Sequence, residues 1–224
     1  MTSAFDKYYA NRILFDEALA ASEEAAAIAR RARYLRVPAV LAFDPGGLWI
    51  RFECMEGWSV LKTLLRSGRF LGLPDAELDG ILRNTGRALA EYHAGSGKIH
   101  GDFDSTNVLF RVGEPRVCLI DFSRPDFADH PDYCRASIYR DLALFVIYLC
   151  VKYPPHQLLL AYRAKNRILS RAFLEGYFEL SPQQYSFDEL RTEFVTCMKI
   201  PYLARSFMNR FLRWTDRFDL EHLR

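Results

Sequence analysis

The chain has 224 residues, of which 50% are hydrophobic and 26% are charged, and its formal net charge is +2. This apolar share is enough for one sizeable core, or for two lobes that share one, and it excludes a disordered chain. Because the charges nearly balance, nothing in the composition attracts nucleic acid, and we expect no nucleic-acid partner.

The five cysteines lie far apart in the sequence and form no CxxC pair. Such an odd, scattered set is typical of buried thiols in a reducing compartment, not of a disulfide framework or a zinc site. The first residues, MTSAFDKYYANR, have no apolar signal core, and no apolar run approaches the length of about 18 residues that spans a membrane. We therefore expect a cytoplasmic protein, with peripheral membrane contact as an open alternative.

The first quarter of the chain predicts a helix followed by a hairpin. Residues 12–36 are rich in Ala, Glu and Arg and contain no Gly or Pro, which predicts one long helix that Pro38 ends. Two short apolar runs then flank the DPGG sequence of residues 44–47, a pattern typical of a β-hairpin. Gly57 marks a break in the chain, so we expect a lobe boundary near residues 53–57.

The rest of the sequence predicts helices on either side of two short β-like runs. Residues 74–93 carry apolar side chains at helical spacing, and the chain from residue 136 onward also has mainly helical patterns. Between them lie KIHGDFDSTNVLF and RVCLIDFS, in which polar residues interrupt the apolar runs. The order predicts a small α+β lobe, residues 1–56, and a larger, mainly helical lobe, residues 57–224.

Three polar residues stand at the ends of these short apolar runs, namely Asp102, Asn107 and Asp121. A β-like run that leads into an acidic loop can present carboxylates at one edge of a cleft. Two aspartates and an asparagine supply hard oxygen ligands suited to Mg²⁺, and leave one carboxylate to act as a base. The alternative for Asp102 and Asp104 is that each caps a turn.

The spacing of these residues resembles the protein-kinase-like superfamily, in which H-x-D-x-x-x-x-N forms the catalytic loop and D-F-G the metal loop. Here the two motifs read HGDFDSTN, residues 100–107, and DFS, residues 121–123. The H-G-D form is most similar to the aminoglycoside phosphotransferase, choline kinase and bacterial lipopolysaccharide-kinase branches, and to the small kinases of tRNA modification. The resemblance implies an α+β, two-lobed kinase-like fold with a curtailed small lobe of about three strands and one helix.

The resemblance also implies a role for each matching residue. Asp102 would be the catalytic residue that orients the acceptor hydroxyl and takes its proton. Asn107 and Asp121 would hold Mg²⁺ against the phosphates of ATP. His100 would hold the loop through hydrogen bonds. Asp141, in IYRDLALFVIYL, would accept hydrogen bonds from the backbone of the catalytic loop, or would simply be a charge at a helix N-terminus.

The RFECMEG sequence of residues 51–57 is similar to the hinge between the lobes of a kinase. The resemblance implies that the backbone of Glu53 and Met55 hydrogen-bonds the adenine of ATP. Leu109 and Ile120 would then form an apolar floor beneath the base. An ordinary edge strand is the alternative interpretation of this segment.

Kinases of this kind pair a strand lysine with a helix glutamate, so that the ammonium binds the α- and β-phosphates. Lys7 is the predicted lysine and Glu24 its predicted partner, with Glu23 as the second candidate. The sequence before Lys7 has no room for a Gly-rich loop and its strands, so we expect either a natural short form or a true start further upstream. Ser123 replaces the glycine of the metal loop, which restricts the backbone there.

These features predict an ATP- and Mg²⁺-dependent phosphotransferase that acts on a hydroxyl of a small molecule or of a sugar- or lipopolysaccharide-type acceptor. The segment of residues 123–140 is short and lacks the A-P-E with which protein kinases shape a peptide platform, which favours a non-peptide acceptor. Two alternatives stay open: a pseudokinase or nucleotide-binding regulatory protein without a Gly-rich loop, and a small atypical protein kinase.

The C-terminal sequence YLARSFMNRFLRWTDRF, residues 202–218, places large apolar side chains on one face of a predicted helix and arginines elsewhere. Such a basic amphipathic helix can lie on the inner face of an anionic membrane, where it would suit a lipid-linked acceptor. A final helix packed on the large lobe explains the same pattern.

Overall fold

The computed structural model describes residues 3–66, 73–122, 137–150, 160–199 and residue 223. Within these ranges the chain forms seven strands and six helices, an α+β architecture. In chain order they are β1 (Ala4–Tyr8), α1 (Arg12–Ala29), β2 (Leu35–Arg36), β3 (Val40–Asp44), β4 (Trp49–Glu53), β5 (Ser59–Val60), α2 (Leu61–Arg66), α3 (Asp75–Ser96), β6 (Val108–Phe110), β7 (Val117–Leu119), α4 (Ile138–Cys150), α5 (Leu160–Leu180) and α6 (Phe187–Lys199).

The first sheet has three antiparallel strands in the order β1-β4-β3. Helix α1 packs on one face of it, where Phe15 and Ala18 meet Ile50 and Phe52 in a small buried cluster. The three strands and one helix predicted for the small lobe are therefore confirmed. The predicted hairpin is also present, and the N–H of Gly46 donates to Oδ1 of Asp44 at 2.8 Å in its turn.

Helix α1 ends at Ala29, seven residues before the predicted end at residue 36. Beyond this end, the backbone hydrogen-bonds a side chain of another helix. The carboxylate of Glu91 in α3 accepts the N–H groups of residues 33–35 at 2.8, 2.9 and 2.8 Å. Leu35, which is fully buried, then starts β2 and pairs with β7. The composition of residues 12–36 favours a helix throughout, and tertiary contacts override that preference.

The second sheet, in the order β2-β7-β6-β5, brings the two polar loops together. Strands β6 and β7 are antiparallel, and Val108 pairs with Leu119. The loop that precedes β6 and the loop that follows β7 therefore lie at the same end of the sheet. The backbone N–H of Ile120 donates to the carbonyl oxygen of Asn107 at 3.0 Å and joins them directly.

The larger buried core is formed by the helices together with the second sheet. Helix α4 is its centre, because all the side chains of residues 139–149 are buried. At one end Arg140, which has no exposed surface, donates to the carboxylate of Glu193 in α6 at 2.6 Å. Ala25 of α1 also belongs to this core, and the division of the chain at residues 56 and 57 stays a prediction.

Helices α3 and α5 cross at two glycines. A Cβ on Gly86 would lie 2.1 Å from the carbonyl oxygen of Phe173, and one on Gly176 would lie 2.0 Å from that of Arg83. Heavy atoms that are not bonded to each other do not approach so closely, so only glycine permits this crossing. In the described part of the chain, no helix is both long and apolar enough to span a bilayer. The predicted amphipathic helix of residues 202–218 lies outside the described residues.

The crossing predicts that Gly86→Ala destabilises the protein by ~2 kcal/mol or more, because the added methyl group forces the two helix backbones apart. Gly80→Ala is the matched control, since Gly80 lies in the same helix and a Cβ there would meet nothing within 4 Å. The control should stabilise the helix by roughly 0.5–1 kcal/mol. Urea denaturation measures both, and equal effects of the two substitutions would contradict the close crossing.

Candidate functional site

A cavity of about 140 Å³ lies between the first sheet, helix α1 and the loop after β7. Its polar lining comes from the first sheet, from α1 and from this loop, and includes Lys7, Tyr9, Ser22 and Asp121. Ile120 contributes to the apolar lining. This cavity therefore joins the strand lysine, the helix and the metal-loop aspartate that the sequence singles out.

Lys7 and Asp121 form an ion pair at this cavity, with Nζ and Oδ1 2.5 Å apart. The two side chains are 33% and 36% exposed, so the pair is in contact with water. The backbone of Asp121 has a φ of 60°, in the left-handed region that residues other than glycine rarely adopt. Such strained positions cluster at functional sites.

Glu24 lies away from this ion pair and binds Lys98 instead, with 2.6 Å between the carboxylate and the ammonium. This differs from the predicted pairing of Lys7 with Glu24. The reason is the rotation of the helix: Ala18, Ser22 and Ala25 belong to its buried face, and Ala18 and Ser22 line the cavity. Glu23, the second candidate, is exposed.

Tyr9 is a site residue that the sequence analysis did not find. Its ring lies 5.5 Å from the ammonium of Lys7, and burial, with the nearby charge of Asp121, raises the pKa of its hydroxyl to about 12. The phenol is therefore neutral at physiological pH and available as a hydrogen-bond donor. No motif marks it, because it reaches the cavity only through the pairing of β1 with β4.

The hinge-like segment is bound to its neighbours through backbone and side chain. The N–H of Glu53 donates to the carbonyl oxygen of Ala39 at 2.9 Å, and its carboxylate pairs with Arg36 at 3.1 Å. The carbonyl oxygen of Met55 accepts the N–H of Trp58 at 3.1 Å. Of the predicted adenine contacts, Ile120 lines the cavity described above, whereas Glu53, Met55 and the buried Leu109 do not. Their contacts with adenine stay predictions.

Asn107 ties the catalytic loop together. Its Nδ2 donates to the backbone oxygen of Asp102 at 2.8 Å and to Oδ2 of the same residue at 3.2 Å. These two bonds use the amide nitrogen, and an amide oxygen is a type of atom that can act as a metal ligand. The backbone of Asn107 is bound to Ile120, the residue before Asp121, so both predicted metal ligands belong to one hydrogen-bonded unit.

Asp104 caps a turn, which is the alternative role that the sequence analysis left open for it. It is buried, and its Oδ1 accepts both the backbone N–H and the hydroxyl of Thr106. This is a capped turn, which bends the chain between Asp102 and Asn107. Asp102, which is partly exposed, is held by Asn107 instead.

Asp141 accepts the predicted hydrogen bonds from the catalytic loop. Its two carboxylate oxygens receive the N–H of His100 at 2.6 Å and the N–H of Gly101 at 2.9 Å. The imidazole of His93 supplies a third partner at 2.9 Å. The alternative, a charge that serves only the helix N-terminus, does not explain these three contacts.

His100 holds the loop, as predicted, through a hydrogen bond between its Nε2 and the carbonyl oxygen of Ile120 at 3.1 Å. Its ring packs against those of Tyr92, Phe103 and Phe122. Burial lowers the pKa of this imidazole, and its buried Nδ1 has no hydrogen-bond partner among the described residues. His100 is therefore a neutral structural residue.

The donors present fit Mg²⁺ shared with a nucleotide. Asn107 and Asp121 offer one amide oxygen and one carboxylate, and Mg²⁺ is usually held by one or two carboxylates together with water and substrate phosphates. No group of three His, Cys, Asp or Glu side chains that could hold a metal occurs among the described residues. Ser123, which replaces the metal-loop glycine, lies outside them.

No protein-family model matches the chain. It is similar to the EKC/KEOPS complex subunit BUD32 of Gibberella zeae, with 35% identity over 78 residues. The match covers 34% of this chain and 29% of that protein, so it spans less than a third of the relative's length. This similarity supports the protein-kinase-like superfamily. It does not support the aminoglycoside phosphotransferase or lipopolysaccharide-kinase branch.

The site predicts that Asp121→Asn abolishes magnesium-dependent nucleotide binding and leaves the fold intact. The substitution is nearly isosteric, but it removes the charge that a divalent cation requires. Calorimetric titration of ATP with and without Mg²⁺ measures this, with Asp16→Asn as the control because Asp16 is an exposed carboxylate paired with Arg12 on α1. Magnesium-dependent binding that persists in Asp121→Asn would remove this residue from the site.

The lowered pKa of His100 predicts that the free energy of unfolding falls as the pH drops below about 6.5. Below that pH the unfolded chain binds a proton at this imidazole, whereas the folded protein resists it, so acid favours unfolding. Urea denaturation between pH 7.5 and 5.5 should show this loss, and His100→Gln should make the profile flatter. A variant with the same pH dependence as the wild type would contradict the assignment.

Proposed function

We propose that this protein is a kinase-like phosphotransferase that uses ATP and Mg²⁺ and transfers the γ-phosphoryl group to a hydroxyl. The observation that carries the proposal is the hydrogen-bonded unit of Asp102, Asn107 and Ile120, which joins the candidate base to the loop of Asp121. The partial similarity to the EKC/KEOPS subunit supports the same class of chemistry.

Each residue then has a distinct task. Asp102 orients the acceptor hydroxyl and takes its proton. Asn107 and Asp121 would hold Mg²⁺, which neutralises charge on the phosphates when it is bound. The ammonium of Lys7, which lies at the cavity beside Asp121, binds the α- and β-phosphates.

The proposal also includes a binding site for the adenine of ATP. It hydrogen-bonds the backbone of Glu53 and Met55 and rests on Leu109 and Ile120. With Ser22 on the cavity face of α1, Glu24 does not serve as the helix carboxylate for Lys7. Lys7 pairs with Asp121 instead.

For the acceptor, the similarity to a subunit of a protein complex favours the small atypical protein kinase over a small-molecule, sugar or lipopolysaccharide kinase. A protein that binds this chain is therefore the first acceptor to test. The short segment of residues 123–140 favours a non-peptide hydroxyl, so small-molecule and sugar acceptors are the second arm of the same screen.

A pseudokinase is the second candidate, and the ion pair between Lys7 and Asp121 is the observation that favours it. A carboxylate already neutralised by an ammonium is a weaker ligand for a divalent cation. Thermal-shift titration separates the two functions: an enzyme is stabilised by ATP only in the presence of Mg²⁺, whereas a regulatory protein shows a shift that does not depend on magnesium.

We expect Asp102→Asn to lower phosphoryl transfer by ~10²- to 10⁴-fold, because the amide keeps the shape of the carboxylate but cannot accept the proton. ATP affinity should change little, since this residue does not contact the nucleotide. Lys7→Ala should show the reverse pattern, with weaker ATP binding. Turnover is measured as ATP consumption against candidate protein, sugar and amine acceptors.

Normal turnover by Asp102→Asn would contradict its assignment as the base. A wild type that binds ATP without magnesium dependence and consumes none of it would replace the phosphotransferase with the pseudokinase. The control is Asp79→Asn, because Asp79 is a partly exposed aspartate on α3 that pairs with Arg83, and neither residue lines the cavity.

A further inference from the structure

A chain of buried hydrogen bonds runs from helix α5 to the catalytic loop. Tyr177 Oη in α5 lies 2.8 Å from Nδ1 of His93 in α3. The other ring nitrogen of His93, Nε2, lies 2.9 Å from Oδ2 of Asp141 in α4. Asp141 in turn accepts the N–H groups of His100 and Gly101. Three helices thus reach the loop through three side chains.

The chemistry of the groups fixes the direction of each hydrogen bond. A carboxylate can only accept, so Nε2 of His93 carries the proton and donates to Asp141. In the tautomer that carries its single proton on Nε2, the lone pair lies on Nδ1, which accepts the hydroxyl hydrogen of Tyr177. Burial raises the pKa of Tyr177, so the phenol keeps the hydrogen that it donates. Each member therefore orients the next.

The three side chains are almost entirely buried. Tyr177 is 1% exposed, His93 is 7% exposed and Asp141 has no exposed surface. Removal of the Tyr177 hydroxyl takes this hydrogen-bond partner away from Nδ1 of His93, and loss of a hydrogen bond at a buried polar atom is unfavourable. The imidazole must then tilt or change its tautomer, and either change disturbs its bond to Asp141.

A disturbance of Asp141 reaches Asp102 through a single residue. Gly101 donates its N–H to Asp141, has a φ of 87° and directly precedes Asp102 in the chain. This left-handed backbone turns the N–H toward the carboxylate, and the next residue in the chain, Asp102, is partly exposed. A movement of the carboxylate therefore rotates the peptide that carries the candidate base.

We propose that Tyr177 and His93 are positioning residues for phosphoryl transfer, which hold Asp141 and thereby fix the orientation of Asp102. This inference rests on the proposed function. Helix α5 contains none of the motifs recognised in the sequence. The inference nevertheless gives this helix an effect on the rate of the chemical step, through His93 and Asp141.

The test compares Tyr177→Phe with Tyr139→Phe. Tyr139 is 3% exposed, and its hydroxyl bonds Gln184 and Ser186 instead of the catalytic loop. Both substitutions remove one buried hydroxyl, so their effects on folding should be similar. Tyr177→Phe should lower kcat by about tenfold with KM for ATP nearly unchanged, because a small misplacement of a reacting group slows the chemical step. Tyr139→Phe should keep kcat.

A second pair of variants tests His93. His93→Gln offers an N–H donor toward Asp141 and a carbonyl oxygen toward Tyr177, as the neutral imidazole does, and should retain most of kcat. His93→Leu offers neither and should lose at least as much as Tyr177→Phe. Equal kcat values in the Gln and Leu variants would overturn the role of His93 as a hydrogen-bonded positioning residue.

Backbone hydrogen exchange gives a result that does not depend on activity. Tyr177→Phe should speed exchange of the N–H groups of His100 and Gly101, and Tyr139→Phe should not. Unchanged exchange in Tyr177→Phe, or a kcat equal to that of Tyr139→Phe, overturns the proposal. If the wild type consumes no ATP with any acceptor, the proposed function fails, and the exchange rates alone then decide whether Tyr177 holds the loop.

Discussion

The carboxylate of Asp141 is the constraint on which the rest of the site depends. A fully buried charge costs several kcal/mol unless hydrogen bonds satisfy it. Asp141 is satisfied by two backbone N–H groups of the catalytic loop and by the imidazole of His93. The loop must stay where these N–H groups reach the carboxylate, so the core of the large lobe determines the position of the loop.

Hydrogen bonds join the metal loop to the catalytic loop, so the position of the catalytic loop determines that of the metal loop. The register of β6 with β7 places Asn107 beside Ile120, and His100 adds a second bond to the same residue. Lys7 then reaches Asp121 from the first sheet. One continuous set of contacts therefore runs from the buried helix α4 to the small sheet, and the cavity lies at its far end.

The sequence was sufficient to predict the features that depend on local spacing. The hairpin follows from the turn sequence between two apolar runs, and the helix from the composition of residues 12–36. The count of three strands and one helix came from the resemblance to kinase-like proteins. The end of α1 could not be predicted, because it is set by Glu91, a residue of another helix. The partners of Glu24 and Tyr177 depend in the same way on how the helices rotate and cross. A local sequence pattern does not predict these tertiary features.

The ion pair of Lys7 with Asp121 and the contacts that hold the catalytic loop differ in their exposure to water. The pair of Lys7 with Asp121 is about one third exposed, and an exposed ion pair contributes ~1 kcal/mol or less to stability. The contacts among Tyr177, His93 and Asp141 are buried, and breaking one leaves a polar group unpaired. In the proposed function, the phosphates enter and leave beside the partly exposed ion pair, while the buried contacts keep the loop of the candidate base in place.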